Sequence, residues 1–355
     1  MPNIVILGGG YGGLTVASEL LQDRLPDDCR VTLIDRMPFQ GLKTEYYALA
    51  AGTVSDIALR VAFPVDPRLL LKYGEVLDVD LDAKRVLMED GDSVDYDILV
   101  IALGCVDKYH GIPGAEEFSC SIQTFSSSRR TYQQVNDVKP YGQVTIVGGG
   151  LSGVEVAAEL RESRPDLNIR ILDRGPSVLS AFPGKAQDYV RSWFLEHDVE
   201  MRGHVAISRL EQGVIYDRDT TIETDVTVWT AGIQPVPIVQ RMSGEKDNIG
   251  RLVLTDYYHL PSDDSVFVVG DCASLPFAPS GQAAEAQGKQ VAEIVRARLR
   301  GEIDGIRLKQ IKLKGVLGSL GKKAGFGVMG KRTLMGRVPR LLKSGVLWMS
   351  KTHLG

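Results

Sequence analysis

Residues 3–13 read NIVILGGGYGG, and this stretch decides the fold. A run of buried-strand type is followed at once by a glycine loop, and residues 14–22 continue with a helical pattern. Gly8, Gly10 and Gly13 have the spacing G-x-G-x-x-G. This spacing lets the backbone approach a pyrophosphate closely at a helix N-terminus, where the amides point outward. The stretch therefore predicts a strand, loop and helix that bind an adenine dinucleotide.

An acidic residue completes this fingerprint. Asp35 follows Gly13 by 22 residues and comes directly after the next strand-like run, residues 31–34. A carboxylate at that place can accept hydrogen bonds from the ribose hydroxyls of a dinucleotide. We therefore expect Asp35 to contact the ligand.

The same order of elements recurs about 140 residues later. A second buried run, VTIV, precedes another G-x-G-x-x-G formed by Gly148, Gly150 and Gly153, and Asp173 follows 20 residues on. The chain is therefore predicted to hold two separate dinucleotide sites. A carboxylate at position 173 repels a 2′-phosphate and favours NADH, although Arg174 beside it is the residue type that accommodates NADPH.

Charge is distributed unevenly along the chain. Residues 305–355 hold twelve Lys or Arg and no Asp or Glu, so the preceding residues carry −16 when the whole chain carries −4. Such a basic segment favours an anionic surface. Residues 338–349 place apolar side chains on one helical face, which favours a membrane surface over nucleic acid. Packing against the protein's own body, or against the second copy of a homodimer, is the alternative for this face.

Composition excludes several classes of protein. Hydrophobic residues make up 44% and charged residues 24%, which excludes a disordered or membrane-embedded chain. A strand-like run directly after Pro2 leaves no room for a secretion signal, so we expect an intracellular protein. The four cysteines form no C-x-x-C pair, which excludes a local thiol–disulfide relay, and the histidines show no metal-ligand spacing.

Further segments carry a resemblance to a known family. They are YDILVIALG at residues 96–104, WTAG at residues 229–232 and VFVVGDCA at residues 266–273. Together with the two glycine loops, they resemble the flavoproteins with two dinucleotide-binding domains, over residues 3 to about 300. The resemblance implies FAD in the first site and NADH in the second. It also implies that Gly270 and Asp271 reach the ribityl chain and pyrophosphate of FAD.

Three segments are similar to those of one branch, the type II NADH dehydrogenases. Residues 41–53 are similar to its flavin-flanking segment, residues 279–288 to its A-Q-x-A-x-Q motif and residues 314–321 to its K-G-x-x-x-x-x-G segment. These enzymes pass electrons from NADH through FAD to a membrane quinone without pumping protons. The chain departs from the second motif, because Gly281 replaces its first alanine and Ala286 replaces its second glutamine. That glutamine contacts quinone in relatives, so the acceptor stays open here.

The resemblance also implies roles for single residues. Glu155 matches a glutamate that helps to handle protons near the nicotinamide and quinone, although a first-turn glutamate is equally explained by the helix dipole. Lys43 and Thr44 match positions beside the flavin, with ordinary loop chemistry as the alternative. The implied catalytic residues are Glu155, Lys43, Thr44 and Gln282. The implied cofactor contacts are Gly8, Gly10, Gly12, Gly13, Asp35, Arg36, Val76, Ala102, Gly104, Gly148, Gly150, Leu151, Ser152, Gly153, Asp173, Arg174, Ala231, Gly232, Gly270, Asp271, Gln282 and Ala283.

Residues and resemblance together predict an α/β protein with two Rossmann-like dinucleotide-binding domains. The predicted divisions are residues 1–112 and 239–304 for the FAD domain, residues 113–238 for an inserted NADH domain and residues 305–355 for a basic membrane-association segment. The expected function is an FAD-dependent NADH dehydrogenase that reduces a membrane quinone, bound peripherally at the cytoplasmic face of the cell membrane. A soluble NAD(P)H-dependent flavin reductase serving ferredoxin or another small acceptor is one alternative. A non-enzymatic NADH-sensing flavoprotein is the other.

Overall fold

The computed structural model describes residues 2–22, 25–26, 29–302 and 306–353. The predicted boundary at residues 304 and 305 lies outside these described residues. Two sheets with parallel strands form the main body, and a helix follows the first strand of each. The predicted α/β class is therefore confirmed.

A six-stranded sheet is built from strands at both ends of the main body. The first part of the chain contains β1 (Asn3–Leu7), α1 (Tyr11–Gln22), β2 (Arg30–Asp35), β3 (Phe39–Gly41), α2 (Tyr46–Ala50), β4 (Arg60–Ala62), β5 (Leu69–Tyr73), β6 (Val76–Asp80), β7 (Arg85–Met88), β8 (Ser93–Asp95), β9 (Ile98–Ile101) and β10 (Cys105–Asp107). Later strands are β20 (His259–Leu260) and β21 (Asp263–Val268). The sheet has the order β20-β21-β9-β1-β2-β5, and only its β20–β21 pair is antiparallel. Strands β1 and β9 are apolar on both faces because helices and loops cover both sides.

A five-stranded sheet forms the second unit. Its part of the chain contains β11 (Cys120–Ser121), α3 (Phe125–Asp137), β12 (Gln143–Val147), α4 (Leu151–Ser163), β13 (Asn168–Leu172), α5 (Gly184–Glu196), β14 (Val199–Arg202), β15 (Ile207–Glu211), β16 (Val214–Asp217), β17 (Thr220–Glu223), β18 (Val226–Trp229) and β19 (Ile233–Pro235). The order is β11-β18-β12-β13-β14 with every pair parallel. Strands β15, β16 and β17 make a separate antiparallel sheet, and β19 pairs with β10.

The long helix α7 (Gly281–Arg300) packs against α1. The short helix α6 (Pro237–Arg241) precedes it. Helix α7 crosses α1 closely, because a Cβ at Gly288 would lie 2.8 Å from the carbonyl oxygen of Gly12. Glycine at this crossing therefore sets the distance between the two helices.

The basic segment is folded onto the body, which is the alternative that the sequence left open, but its strands were not predicted. It contains β22 (Val316–Leu320), β23 (Ala324–Met329), β24 (Arg332–Gly336) and α8 (Arg337–His353). The three strands form an antiparallel sheet, and Leu320 and Phe326 are fully buried in the core of the second unit. The strands were missed because glycines interrupt their apolar pattern. Gly318 leaves room for the Phe326 ring, which a Cβ would approach to 2.4 Å.

Each parallel sheet carries a glycine loop, the first between β1 and α1 and the second between β12 and α4. A Cβ on Gly13 would lie 1.9 Å from the carbonyl oxygen of Gly8, and a Cβ on Gly153 would lie 1.9 Å from that of Gly148. By contrast, nothing lies within 4 Å of a Cβ built on Gly10 or on Gly150. The last glycine of each motif therefore serves the packing of helix on strand, and the middle glycine faces open space.

This difference predicts unequal effects of alanine within one motif. Gly153→Ala places a methyl group against backbone that cannot move aside, so we expect a loss of at least about 2 kcal/mol in the free energy of unfolding. Gly150→Ala, the matched control, meets open space and should cost less than about 1 kcal/mol. Urea denaturation of both variants without added nucleotide measures this, and equal losses would contradict the packing role of Gly153.

Candidate functional site

The two predicted carboxylates hold the glycine loops. Asp35 accepts a hydrogen bond of 2.6 Å from the backbone N–H of Gly9, and Asp173 accepts one of 2.6 Å from that of Gly149. Asp173 also accepts one of 2.6 Å from the N–H of Gly175. Burial raises the pKa of Asp35, and the hydrogen bond from the backbone N–H of Gly9 opposes this rise. Each carboxylate oxygen keeps a second lone pair, so both groups can still accept a hydroxyl of a ligand.

The residues at both loops fit a dinucleotide. Helices α1 and α4 begin directly after the open positions Gly10 and Gly150, so their first N–H groups point into unfilled space. Gly8 and Gly148 have φ of +96° and +108°, which turns the chain sharply between strand and helix. Such a site takes a pyrophosphate without moving a side chain.

Several predicted contacts of the first loop do other work in the fold. Gly12 faces α7 and Val269, where a Cβ would lie 2.5 Å from Cγ1 of the valine. Arg36 is exposed and lies 3.8 Å from Glu75. Val76 begins β6 and pairs with Met88, while the N–H of Ala102 donates to Leu7. Gly12 and Ala102 therefore serve packing and backbone pairing, and the cofactor contacts of Arg36 and Val76 stay predictions.

A glutamine that the sequence did not single out supports the Gly-Asp pair after β21 through hydrogen bonds. Gly270 has φ of +75°, and its N–H donates 2.8 Å to the side-chain oxygen of Gln287. The amide nitrogen of Gln287 donates 2.9 Å to Val268 O, and the residue is fully buried. Next to this turn, Gly104 accepts a hydrogen bond from the thiol of Cys272 at 3.2 Å. The turn that carries Asp271 is therefore rigid.

The flavin-flanking segment runs alongside this turn. Lys43 Nζ lies 3.0 Å from the sulfur of Cys105, which in turn lies 3.0 Å from a carboxylate oxygen of Asp271. Thr44 is exposed, and its hydroxyl is 2.8 Å from the hydroxyl of Tyr11 at the start of α1. Burial raises the pKa of Tyr11 to about 12. The structure thus brings Lys43 and Asp271 together, as the resemblance implies for residues beside one cofactor.

Glu155 lies in a buried cluster of charged and polar residues, which we call the Glu155 cluster. Its members are Glu45, Tyr47, Glu155, Ser319 and Lys343. Glu155 is 4% exposed and accepts hydrogen bonds from the N–H and hydroxyl of Ser319 at 2.8 and 3.1 Å. It also pairs with the ammonium of Lys343, which lies 3.6 Å from Glu45 and 2.8 Å from the Tyr47 hydroxyl. The cluster joins α4, the flavin-flanking segment and the C-terminal segment.

Burial dominates the titration of this cluster. It raises the pKa of Glu155, while the Lys343 ammonium and the Ser319 N–H oppose the rise. Burial also raises the pKa of Tyr47 well above its usual range, helped by the two glutamates. Glu159, one turn further along α4, has its pKa raised by burial as well. An acid in this position holds a proton more readily than one in water.

The second loop is closed by the turn after β18. His110 Nε2 donates 2.8 Å to the carbonyl oxygen of Ala231, and Gly232, with φ of +133°, accepts from the N–H of Lys108 at 3.0 Å. Leu151 and Ser152 form the first turn of α4, and Arg174 is exposed beside Asp173. The predicted residues of this site therefore lie around one helix N-terminus.

The segments at residues 279–288 and 314–321 also meet. Gln282 in the first turn of α7 accepts a hydrogen bond of 2.7 Å from the N–H of Lys314. Ser280 caps the helix by accepting from the N–H of Ala283 at 3.2 Å. Ala286 follows one turn later and is partly exposed. The contact joins residues 279–288 to residues 314–321, which the sequence treats as separate motifs.

Sequence reasoning missed Glu45, Tyr47, Ser319 and Lys343 as site residues. Lys343 lies 188 residues from Glu155 in the chain, so no local spacing connects the two. A signal did exist for three of them, because Glu45 and Tyr47 lie in the flavin-flanking segment and Ser319 in the K-G-x-x-x-x-x-G segment. Lys343 was interpreted only as part of a basic tail.

A family model for pyridine nucleotide-disulphide oxidoreductases matches residues 2–295, so the chain belongs to that family. Over 355 residues it is 54% identical to the NADH dehydrogenase-like protein YutJ of Bacillus subtilis, with both chains covered completely. It is 26% identical to the type II NADH:quinone oxidoreductase of Staphylococcus epidermidis, covering 96% of this chain and 92% of the relative.

The fold is shared with solved structures. An NDH2 from Plasmodium falciparum, in complex with NADH, matches with a TM-score of 0.85 at 15% identity, covering 99% of this chain and 96% of the other. The predicted two-domain fold and the resemblance to type II NADH dehydrogenases are confirmed by these matches. The predicted cofactors, FAD and NADH, agree with this flavin-dependent family.

Because Glu155 is buried and paired with Lys343, we expect the free energy of unfolding to depend on Lys343 and on pH. Because the pKa of Glu155 is raised in the folded protein, the free energy of unfolding falls as pH rises through that raised pKa. Lys343→Met removes the ammonium that opposes the rise. We expect a loss of about 3 kcal/mol at about pH 8 and a clearly smaller loss at about pH 5, because a larger share of the acid is protonated at the lower pH. Urea denaturation at both pH values measures it.

Two further variants make this test specific. Lys331→Met changes an exposed lysine of the same segment and should alter stability by less than about 0.5 kcal/mol. Lys343→Met combined with Glu155→Gln should recover at least about 1 kcal/mol at about pH 8, because the buried charge left alone is then gone. Strictly additive losses in the double variant would argue against the pair.

Proposed function

We propose that this member of the pyridine nucleotide-disulphide oxidoreductase family takes a hydride from NADH and passes the electrons through FAD to a membrane quinone. The Glu155 cluster is the observation that carries the proposal. It places a buried, proton-holding acid two residues beyond the second glycine loop and against the flavin-flanking segment. That is where an acceptor reduced by the flavin would need a proton.

The two glycine loops supply the cofactor sites in this proposal. The first loop, with Asp35, Lys43 and Asp271, would hold FAD, and the second, with Asp173 and Gly232, would hold NADH. When bound, FAD supplies the two-electron chemistry between nicotinamide and acceptor. The protein's part is to hold both ligands by helix N-termini and carboxylates, so that the nicotinamide meets the flavin in the same orientation each time.

Proton supply gives Glu155 its role. A quinone that becomes a quinol takes up two electrons and two protons, and a hydride accounts for both electrons and one of the protons. The second proton has to come from a group on the protein or from solvent. Burial favours the protonated form of Glu155, and the Lys343 ammonium stabilises the carboxylate that remains after the proton leaves. The pair therefore suits repeated loss and gain of one proton.

One contact favours quinone as the electron acceptor, and one replaced residue favours a second candidate function. Gln282 accepts a hydrogen bond from the N–H of Lys314 and so joins residues 279–288 to residues 314–321. Ala286, however, stands where type II enzymes have a second glutamine. This departure favours a soluble NAD(P)H-dependent flavin reductase as the second candidate, because a side-chain amide that would orient a quinone carbonyl is replaced by a methyl group.

Helix α8 supports a peripheral site on the cytoplasmic face of the cell membrane. Among the described residues, no helix is both long and apolar enough to cross a bilayer. Three large side chains of α8 are well exposed, Val338 at 59%, Leu341 at 70% and Trp348 at 65%. Exposed basic residues such as Lys331 and Arg337 accompany them. An apolar face beside cations is the arrangement that binds an anionic lipid surface.

Anaerobic stopped-flow separates the two half-reactions. We expect NADH to bleach the flavin absorbance of the purified protein rapidly, and a short-chain quinone to restore it. Glu155→Gln should slow the recovery about 10²-fold while changing the bleaching far less, because only the second step needs a proton from the protein.

The control is Glu159→Gln, which removes a buried acid one turn away on the same helix, and it should leave recovery near the wild-type rate. Bleaching without recovery by any quinone would contradict the proposal and favour the soluble reductase. No bleaching by NADH at all would favour the non-enzymatic sensor.

Membrane binding is tested without disturbing Lys343. Deleting the whole helix would also remove Lys343 from the Glu155 cluster, so point changes are preferable. Leu341→Ser combined with Trp348→Ser should weaken binding to vesicles containing phosphatidylglycerol at least about tenfold, because each side chain contributes roughly 1.5–3 kcal/mol when buried in an apolar phase. Flotation of the vesicles measures the bound fraction.

A matched surface change serves as the reference. Leu77→Ser alters a leucine on β6 that is 55% exposed, and it should leave vesicle binding unchanged. Equal binding by the α8 variant and the wild type would contradict a membrane role for this helix.

A further inference from the structure

Lys43 contacts Cys105, a residue that the proposed function does not use. Its ammonium lies 3.0 Å from the sulfur of Cys105 and 3.4 Å from the carbonyl oxygen of the same residue. The sulfur lies 3.0 Å from an oxygen of Asp271, with Gln123 further off at 3.8 Å. An ammonium, a thiol and a carboxylate thus form one row.

The direction of the hydrogen bonds in this row follows from the chemistry of its ends. An ammonium only donates and an ionised carboxylate only accepts, so the thiol accepts from Lys43 and donates its S–H to Asp271. Burial, together with Asp271, raises the pKa of the Cys105 thiol to about 12, and Lys43 opposes the rise. Cys105 is therefore a neutral bridge between two charges and not a thiolate nucleophile.

Asp107 supplies a second acid on the same side. It follows Cys105 by two positions in β10, and alternate residues of a strand project to one face. It is 4% exposed, and within the described part of the chain its Oδ1 atom has no hydrogen-bond partner. Burial raises its pKa to about 6, while Ser121 and the Lys43 charge oppose the rise and Glu116 adds to it. A buried carboxyl with an unused oxygen is costly unless a cation lies nearby, and Lys43 is that cation.

We propose that Cys105 is a positioning residue that holds the Lys43 ammonium beside the bound flavin, that the buried Asp107 carboxyl acts against this positive charge, and that the two together set the flavin's reduction potential. The inference rests on the proposed function in one respect, that FAD occupies the first glycine loop. Reduced flavin carries more negative charge than oxidised flavin, so a cation held nearby favours the reduced form and an acid held nearby favours the oxidised form.

The proposal predicts shifts of opposite sign. Lys43→Met should lower the ratio of reduced to oxidised flavin at a fixed potential at least about tenfold, which is about 30 mV for a two-electron couple. Asp107→Asn should raise this ratio. Cys105→Ala should lower it because the ammonium loses its anchor, and Cys105→Ser should restore it because a hydroxyl can both accept and donate.

The test is an anaerobic equilibrium titration of the FAD-loaded full-length protein against a reference dye. Dithionite supplies the electrons, so neither NADH nor quinone enters the readout. Cys29→Ala, at a buried cysteine that directly precedes β2, and Lys72→Met, at a lysine in a surface ion pair with Asp92, are the matched controls and should not shift the ratio. If Asp107→Asn loads no FAD, the Cys105→Ala and Cys105→Ser pair carries the test alone.

The outcomes separate this inference from the proposed function. Opposite shifts for Lys43→Met and Asp107→Asn, with rescue by serine at position 105, would establish it. FAD that binds with the same potential in every variant, or shifts of one sign throughout, would overturn the positioning role and leave the proposed function standing. A protein that binds no FAD would overturn both.

Discussion

The two glycine loops impose the constraint on which the rest of the molecule depends. In each loop, the last glycine packs against the carbonyl oxygen of the first glycine, and one carboxylate accepts a hydrogen bond from a loop N–H. Both contacts fix the helix relative to the sheet before any ligand arrives, so little ordering remains to be done on binding. They also explain why the middle glycines are free of neighbours: the loop is held from the strand side and stays open on the ligand side. The other parts of the site, the Gly-Asp turn and the flavin-flanking segment, are arranged around these openings.

The Glu155 cluster makes the basic C-terminal segment part of the site. Three glutamates at positions 45, 155 and 159 are buried within a short distance along two neighbouring helices, and Lys343 offsets part of this charge. A buried acid without a counter-charge would stay protonated, and one with too strong a counter-charge would stay ionised. Burial and the single lysine therefore act on the pKa of Glu155 in opposite directions. Because the same helix exposes Leu341 and Trp348, the residue that balances the acid is carried by the element proposed to touch the membrane.

Sequence reasoning succeeded where a function depends on neighbours in the chain. Residues 3–13 and the second glycine motif carry their own strand, turn and helix signals, and these predicted the fold class correctly. It failed where function depends on distant residues meeting. Ser319 reaches Glu155 because β22 packs on α4, and Lys343 reaches it because α8 packs on β22, β23 and β24. Those strands were hidden by the glycines that let Phe326 pack closely. Gln287 was passed over for a related reason, since its role in holding Gly270 comes from a helix that packs across the sheet end.

The thiols show why family membership alone does not decide the chemistry. The chain belongs to a family named for disulphide reduction, and two of its cysteines, Cys105 and Cys272, lie beside the Gly-Asp turn. Reactivity requires a thiolate, and burial raises the pKa of both thiols far above neutral pH. Each sulfur is also engaged, one between Lys43 and Asp271 and the other with Gly104. Both thiols beside the Gly-Asp turn therefore act as hydrogen-bonding groups and not as thiolate nucleophiles.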